Sequence, residues 1–150
     1  MFVSDVMTRA VRTATPETDL YEVATVICLH RLSGLPVVNE NDKVVGFIAE
    51  RDILHRMFPR LEDLMDQTAV TDFEEMERQY GDVMNLKVKD VMITGVISVS
   101  PEMPLLKATS VMVRHKFRRI PVAKDGILLG MISIGDIHKA IFQSNLTFSR

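Results

Sequence analysis

The feature that most constrains this chain is an internal repeat. Asp5-Val6-Met7 returns 85 residues later as Asp90-Val91-Met92. Further on, the spacing falls to 84, as between Asp52 and Asp136, so copy two is one residue shorter. The other matches keep this register over some fifty positions: Thr15-Pro16-Glu17 with Ser100-Pro101-Glu102, Leu20 with Leu105, Val26 with Val111, His30 with His115, Leu35-Pro36-Val37 with Ile120-Pro121-Val122, and Gly46 with Gly130. A match of this extent indicates two copies of one structural unit.

The sequence of each copy predicts a first helix at the equivalent position. Thr15 and Ser100 are the predicted N-caps, with Pro16 and Pro101 at the first helical position. Apolar residues then recur at helical spacing, namely Leu20, Val23, Ala24 and Ile27 in copy one and Leu105, Ala108, Val111 and Met112 in copy two. One face of each helix should therefore be buried.

A hairpin and a second helix are predicted after each first helix. The four strands are expected at Leu35 to Val38, Val44 to Ile48, Ile120 to Ala123, and Ile127 to Ile132. Polar residues 39–43 and 124–126 form the turns. Pro36 and Pro121 cannot donate to a ladder, so we expect them at a strand start or edge. The second helices begin near Asp52 and Asp136, and a short extended segment precedes each copy.

The predicted organisation is copy one at 1–58, a linker at 59–85, copy two at 86–144 and a tail at 145–150. One copy of about 50 residues is too small to be stable alone, so the copies should pack as one pair with approximate twofold symmetry. The linker is acidic: Leu61 to Glu77 holds seven acids and no Lys or Arg. Phe73 to Tyr80 can form one or two helical turns, which Gly81 would end. The linker is either a solvated spacer or a docking surface for a basic partner or a second subunit.

Composition excludes several classes of function. The net charge is −2, so no overall positive field attracts nucleic acid or anionic lipid. No apolar run approaches the roughly 18 residues of a membrane span, and no signal peptide is recognised at the N-terminus. Cys28 is the single cysteine. It is expected as a core thiol on the first helix, in a chain from a reducing compartment, most simply the cytoplasm.

The ordered motifs resemble a known family. Asp-Val-Met, Thr-Pro, Leu-Pro-Val-Val and Gly-Phe-Ile-Ala-Glu-Arg-Asp-Ile occur in copy one, and Asp-Val-Met, Ser-Pro, Ile-Pro-Val and Gly-Met-Ile-Ser-Ile-Gly-Asp-Ile occur in copy two. This set is similar to a tandem pair of CBS domains, called a Bateman module. The resemblance implies an α+β fold of two β-α-β-β-α repeats packed with pseudo-twofold symmetry. It also implies a regulatory module that binds AMP, ADP, ATP, S-adenosylmethionine or NADH, has no catalytic activity or catalytic cofactor, signals to an unidentified partner and forms homodimers.

The resemblance also implies a main ligand cleft. In the family, a Ser/Thr-x-x-Asp motif at the start of the second helix binds ribose through its Asp, which here is Ser133-x-x-Asp136. Helix capping by Ser133 and Asp136 is the alternative role. His-Arg-x-Ser and the basic residues before the strand resemble the phosphate-facing positions of the γ subunit of AMP-activated protein kinase. The full set carried over to this cleft is Ser133, Asp136, Arg118, Arg119, Arg31 and Ser33, with Arg9, Ala10, Val11 and Ile132 around the adenine. AMP, ADP or ATP is the expected ligand.

A second cleft is expected by symmetry, with lower occupancy. Copy one has Ala49-x-x-Asp52, which keeps the carboxylate and lacks the hydroxyl. Its expected residues are Asp52, Ile48, Thr94, Gly95 and Val96. A structural or dimerisation module without a physiological ligand remains the alternative to both clefts.

Other groups of residues in the sequence favour no additional function. The basic residues between Arg114 and Arg119 form one short patch, which would bind nucleic acid weakly and with strong salt dependence. His30 and His115 are equivalent by the repeat, but no Cys or carboxylate stands at ligand spacing beside them, so no metal site is predicted. No motif for a nucleophile, a phosphate-binding loop or paired catalytic carboxylates is present.

Overall fold

The structure is a computed structural model that describes residues 1–58 and 72–148, with side chains up to residue 146. The helices among these residues are α1 (Val3–Val6), α2 (Leu20–His30), α3 (Glu50–Arg56), α4 (Phe73–Arg78), α5 (Tyr80–Met84), α6 (Val88–Val91), α7 (Leu105–His115) and α8 (Ile134–Phe148). The strands are β1 (Gly34–Val38), β2 (Val44–Ala49), β3 (Arg119–Lys124) and β4 (Ile127–Ser133). The fold is α+β, and all four predicted strands are present.

The strands pair as two antiparallel hairpins, β1 with β2 and β3 with β4. The carbonyl of Pro121 accepts a hydrogen bond from the Val99 N–H at 3.0 Å, on the side of β3 away from β4. Because the N–H and C=O of one strand residue point to the same side, the donor that Pro121 lacks does not interrupt pairing with β4. The Pro36 carbonyl accepts from Ala14 N–H in the same way at 3.0 Å. Both prolines therefore lie where their missing donors are not needed.

The chain divides into two compact units, each of which contains parts of both copies. The copy-two unit holds Met1–Arg12, Glu40–Val44 and Val96–Arg150. The copy-one unit holds Thr13–Asn39 and Val45–Gly95. Residues 1–12, called leading segment one, thus belong with the body of copy two. Residues 86–95, called leading segment two, belong with the body of copy one.

Each unit has its own apolar core, completed by the leading segment of the other copy. In the copy-one unit, Val88 is fully buried among residues of α2, the hairpin and α5. In the copy-two unit, Val3 and Met7 are buried among residues of α7, α8 and the hairpin. The helical faces predicted from the spacing are confirmed: Leu20, Val23, Ile27, Leu105, Ala108 and Met112 are buried, and Ala24 and Val111 are half-buried.

The Asp-Val-Met motif begins each leading segment with one turn of helix rather than only extended chain. The carboxylate of Asp5 accepts a hydrogen bond from the Phe2 N–H at 2.7 Å, and that of Asp90 accepts from the Lys87 N–H at 3.0 Å. Each Asp therefore holds the entry of a helical turn, which explains why the motif is found at both places.

The predicted starts of the first helices are wrong by four residues. Helix α2 begins at Leu20 after Asp19, and α7 begins at Leu105 after Pro104. Thr15 instead closes a tight turn, in which its N–H donates to the Thr18 hydroxyl at 3.0 Å. A proline at the second position of a β-turn needs the same φ as a proline in the first turn of a helix, so the motif fits either structure.

Helices α4 and α5 occupy most of the described part of the linker, and Gly81 does not end either of them. Residues 59–71 of the predicted linker lie outside the described residues. Helix α4 begins after Asp72, whose carboxylate accepts a hydrogen bond from the Glu75 N–H at 3.1 Å. Helix α5 contains Gly81 as its second residue, so the prediction that this glycine terminates the helix is wrong. A Cβ added at Gly81 would meet no atom within 4 Å.

Cys28 is exposed, so the expected core thiol is a wrong prediction. The buried face of α2 is defined by Leu20, Val23 and Ile27. One residue further along a helix turns about 100° away, which carries Cys28 out of this face.

In residues 1–58 and 72–148, no helix combines the length and the apolar character that crossing a bilayer requires. The same part of the chain contains no group of three or more His, Cys, Asp or Glu side chains arranged to hold a metal ion.

Candidate functional site

The last residues of β4 lie directly beside the Arg118-Arg119 pair in the copy-two unit. Arg119 and Ser133 are partners in the β3–β4 register. The Ile134 N–H donates to the Arg118 carbonyl at 2.9 Å, which extends the pairing by one step. The hairpin therefore brings both arginines to the start of α8, because strand register fixes which residues stand opposite each other.

Ser133 and Asp136 meet at the beginning of α8. The Ser133 hydroxyl oxygen accepts a hydrogen bond from the Asp136 N–H at 3.0 Å, which is the capping role considered for Ser133 in the sequence. The Asp136 carboxylate is exposed, and within the described residues it has no hydrogen bond or ion pair. The same part of the chain offers no ion-pair partner to Arg118 or Arg119, both of which are exposed. A carboxylate and two guanidinium groups without partners among the described residues thus belong to backbone positions that adjoin at the start of α8.

Leading segment one pairs with β4 next to these residues. The backbones of Thr8 and Met131 exchange two hydrogen bonds, at 2.8 and 2.9 Å. The approach requires glycine at position 130, because a Cβ there would stand 2.5 Å from the Thr8 carbonyl oxygen. Arg9 and Ala10 follow Thr8 on the surface, and Val11 is half-buried. The structure therefore places residues 9–11 in the same unit as Asp136, beginning beside β4.

Three other residues of the predicted main cleft have different surroundings. Ile132 is 1% exposed and packs in the core of the copy-two unit. Arg31 and Ser33 belong to the copy-one unit, and both are exposed. Arg31 ends α2 in the left-handed conformation with φ of 52°, and the Ser33 carbonyl accepts a hydrogen bond from the Glu50 N–H at 2.9 Å.

The corresponding place in the copy-one unit is built differently. The Asp52 carboxylate is half-buried, and one of its oxygens accepts a hydrogen bond from the Ala49 N–H at 3.0 Å. Ser33 and Gly34 stand where copy two has its two arginines, and Glu50 stands where copy two has Ile134. This end of the hairpin therefore carries more negative and less positive charge than its counterpart.

The remaining residues of the second predicted cleft are divided between the units. Ile93 of leading segment two exchanges two backbone hydrogen bonds with Phe47, each at 2.9 Å, and Thr94 and Gly95 follow on the surface. Ile48 is fully buried in the core of the copy-one unit. Val96 belongs to the copy-two unit.

A cavity of about 480 Å³ opens beside Asp52 within the copy-one unit. It is lined by residues of α3, the turn that follows it and α6, namely Asp52, His55, Arg56, Phe58, Asp90 and Val91. Five of these six residues were not predicted. The spacing of His55 and Arg56, three and four residues after Asp52, could have indicated that they share a helix face with it.

The CBS domain model matches residues 3–58 and again residues 88–143. This chain belongs to the CBS domain family. Both matches include the ligand-site motif of their copy, Ala49-x-x-Asp52 in the first and Ser133-x-x-Asp136 in the second. The predicted tandem CBS pair is therefore confirmed.

Two curated relatives cover most of the CBS pair. An uncharacterised protein of Methanocaldococcus jannaschii, MJ1426, is 29% identical over 94% of this chain and 91% of its own length. The CBS domain-containing protein YhcV of Bacillus subtilis is 30% identical over 90% of this chain and 81% of its own length. Neither name assigns an enzymatic activity.

Solved structures share the fold. CBSX2 of Arabidopsis thaliana superimposes with a TM-score of 0.77 at 24% identity, covering 96% of each chain. CBSX2 in complex with AMP gives a TM-score of 0.74 at 24% identity, over 96% of this chain and 98% of the other. The CBS pair of MJ0100, in complex with 5′-methylthioadenosine and S-adenosyl-L-methionine, gives 0.69 at 19% identity over 96% and 98%. At these identities the likeness establishes the CBS-pair fold.

Proposed function

We propose that this CBS pair is a regulatory module that binds an adenine nucleotide at the end of β4 in the copy-two unit and signals to a partner. The observation that carries the proposal is the exposed Asp136 carboxylate, which has no partner among the described residues and follows the strand end that pairs with Arg119. A nucleotide has the complementary chemistry, because its ribose hydroxyls donate to a carboxylate and its phosphate pairs with arginine.

Each site residue has a distinct proposed role. Asp136 accepts hydrogen bonds from the two ribose hydroxyls, and Ser133 fixes the helix start from which Asp136 projects. Arg118 and Arg119 bind the phosphate. Residues 9–11 contact the adenine, with Ile132 beneath them as part of the core.

Structures of the same fold support the chemical class of the ligand. CBSX2 binds AMP, and the MJ0100 pair binds two other adenosine compounds. The arginines of the present chain favour a ligand with phosphate, so AMP, ADP and ATP are proposed above S-adenosylmethionine and NADH. The module is proposed to act without catalysis of its own, and a single exposed cysteine is compatible with a reducing compartment such as the cytoplasm.

The second site, at Asp52, is proposed to be weaker. One Asp52 oxygen is already bound to the Ala49 N–H, so fewer of its lone pairs remain for ribose. Ala49 supplies no hydroxyl, and Ser33 and Gly34 supply no charge for phosphate. Thr94 and Gly95 remain the proposed adenine contacts there, and Ile48 lies in the core of the same unit.

A homodimerisation module without ligand is the second candidate. It is favoured by apolar side chains that are about two-thirds exposed or more on the first helices: Tyr21 and Leu29 on α2, and Leu106 and Val113 on α7. Where exposed apolar side chains lie together in one patch, they are typical of contact surfaces. Dimerisation is compatible with nucleotide sensing, so the two candidates differ only in the need for a ligand.

Dimerisation can be tested by charge insertion on these helices. We expect the 17.0 kDa chain to sediment as a dimer. Leu29→Glu combined with Leu106→Glu should convert it to a folded monomer, because burying two unpaired carboxylates in a contact costs several kcal/mol, or more than about a hundredfold in affinity. Analytical ultracentrifugation with circular dichroism measures both properties. A wild-type monomer, or a dimer that survives both substitutions, would contradict this part of the proposal.

Ligand binding can be tested by thermal melting with AMP, ADP, ATP, S-adenosylmethionine and NADH. A ligand at about 100 times its Kd should stabilise the module by about 2.7 kcal/mol. For a domain of this size, that shift raises Tm by roughly 5 to 10 °C. We expect the phosphate-bearing mononucleotides to give the largest increase. An unchanged Tm with all five compounds at millimolar concentration would reject the sensing function and leave the ligand-free candidate.

A further inference from the structure

Matched backbone hydrogen bonds attach the two leading segments to their units. In the copy-one unit, three bonds of 2.8 to 3.0 Å join Leu86 to Leu20, Val88 to Thr18 and Lys89 to Pro16. In the copy-two unit, three bonds of 2.9 to 3.0 Å join Met1 to Leu105, Val3 to Met103 and Ser4 to Pro101. The two attachments therefore share one pattern of main-chain hydrogen bonds, which makes them an internal pair for comparing their side chains.

Among the described residues, ion pairs reinforce leading segment two but not leading segment one. Lys87 Nζ lies 2.7 Å from Asp19 Oδ1, and Lys89 Nζ lies 2.9 Å from Glu17 Oε1. The hydrogen bond to Asp19 raises the pKa of Lys87 above its ordinary value. The equivalent residues of leading segment one are Phe2 and Ser4, which carry no charge. No ion pair between residues 1–12 and the described remainder of the copy-two unit is present.

The carboxylate that could have reinforced leading segment one is used elsewhere. Glu102 occupies the position of Glu17, but its Oε1 pairs with Lys124 Nζ at 2.7 Å. Lys124 is the last residue of β3, within the body of copy two, and copy one has Asn39 at this position. The hydrogen bond from Lys124 also lowers the pKa of Glu102. Glu102 therefore strengthens the body of the unit and not its leading segment.

We propose that leading segment one is the releasable element of this CBS pair, whereas ion pairs keep leading segment two attached. Leading segment one also carries Arg9, Ala10 and Val11, which the proposed function assigns to the adenine. Ligand binding would then tighten the weaker attachment, which couples occupancy of the Asp136 site to the position of residues 1–12. This coupling rests on the proposed function, while the difference between the segments does not.

Amide hydrogen exchange without ligand tests the difference between the segments. In about 0.01 M NaCl, we expect the amides of Val88 and Lys89 to exchange more slowly than those of Val3 and Ser4. In about 1 M NaCl, where the Debye length is about 3 Å, exchange of Val88 and Lys89 should accelerate about two- to tenfold, and exchange of Val3 and Ser4 should not. Equal salt responses of the two pairs of amides would overturn the proposal.

Two reciprocal variants separate the effect of the ion pairs from other differences between the two leading segments. Lys87→Met combined with Lys89→Met should abolish the salt response of leading segment two and speed its exchange to a similar extent. Ser4→Lys combined with Lys124→Asn copies the Lys89–Glu17 arrangement onto leading segment one. This variant should slow exchange of Val3 and Ser4 at low salt about two- to fivefold. A low-salt exchange rate unchanged by both variants would overturn the proposal.

Exchange with AMP at saturating concentration tests the coupling to ligand. We expect AMP to slow exchange of Val3 and Ser4 more than that of Val88 and Lys89. Protection confined to leading segment two would overturn the coupling. If none of the five compounds raises Tm, the proposed function fails, whereas the salt contrast measured without ligand still decides between a releasable and a fixed leading segment one.

Discussion

Asp136→Ala should abolish the stabilisation of this CBS pair by AMP, and Asp52→Ala should leave most of it. The Asp136 carboxylate is proposed to accept hydrogen bonds from both ribose hydroxyls, and a hydrogen bond to a charged group contributes about 1.5 to 3 kcal/mol. Losing two such bonds raises the Kd about a hundredfold or more. At the AMP concentration that gives the wild type about 2.7 kcal/mol, the variant would then gain at most about 0.4 kcal/mol.

Asp52→Ala is the matched control, because it removes the carboxylate at the equivalent position of copy one. It removes the hydrogen bond between Asp52 and the Ala49 N–H, so the ligand-free variant should be less stable by about 1 kcal/mol. Each variant is therefore compared with itself, with and without AMP, by thermal melting and titration calorimetry. Full AMP stabilisation of Asp136→Ala, or its loss only in Asp52→Ala, would contradict the ranking of the two sites.

Gly130→Ala should destabilise the CBS pair by about 2 to 4 kcal/mol. The new Cβ would lie 2.5 Å from the Thr8 carbonyl oxygen, which is a backbone atom with little freedom to move. Relieving the overlap requires leading segment one to shift by about 1 Å, which strains the two hydrogen bonds between Thr8 and Met131. Urea denaturation measures the change in unfolding free energy, and Tm should fall by roughly 4 to 15 °C.

Gly81→Ala provides the control for the same chemical change. Gly81 lies inside α5, and no atom stands within 4 Å of its added Cβ. Alanine is the better helix former, so this variant should gain up to about 1 kcal/mol. Equal stability of Gly130→Ala and the wild type would show that leading segment one does not need its close approach to β4.

The strands were predictable from the sequence because local rules determine them. Apolar runs bounded by polar turns placed all four strands within one residue of their observed starts and ends, and the repeat supplied two independent examples of each. The first-helix starts were not predictable in this way. The Leu20 N–H donates to the carbonyl of Leu86, 66 residues further along the chain, which favours a helix that begins there. No local signal near Thr15 reports that partner.

The candidate site was likewise predictable only in those features that local sequence determines. Asp136, Asp52 and the two arginines were found from motif positions, because each position is set by a strand end or a helix start. The different use of the two carboxylates was not predictable. Asp52 accepts the Ala49 N–H, whereas at the start of α8 the Ser133 hydroxyl accepts the Asp136 N–H instead. Which atom caps the helix depends on whether a single hydroxyl is present. The ion pairs of leading segment two were not predictable either, because they join residues 68 and 72 positions apart in the sequence.

The crossing of the leading segments limits how this chain can be divided. Val3 and Met7 complete the core built on copy two, and Val88 completes the core built on copy one. A cut in the linker would produce two fragments, each lacking a piece of its own core and each carrying the piece that the other requires. Such fragments should reassemble by mutual exchange, as in a domain-swapped dimer.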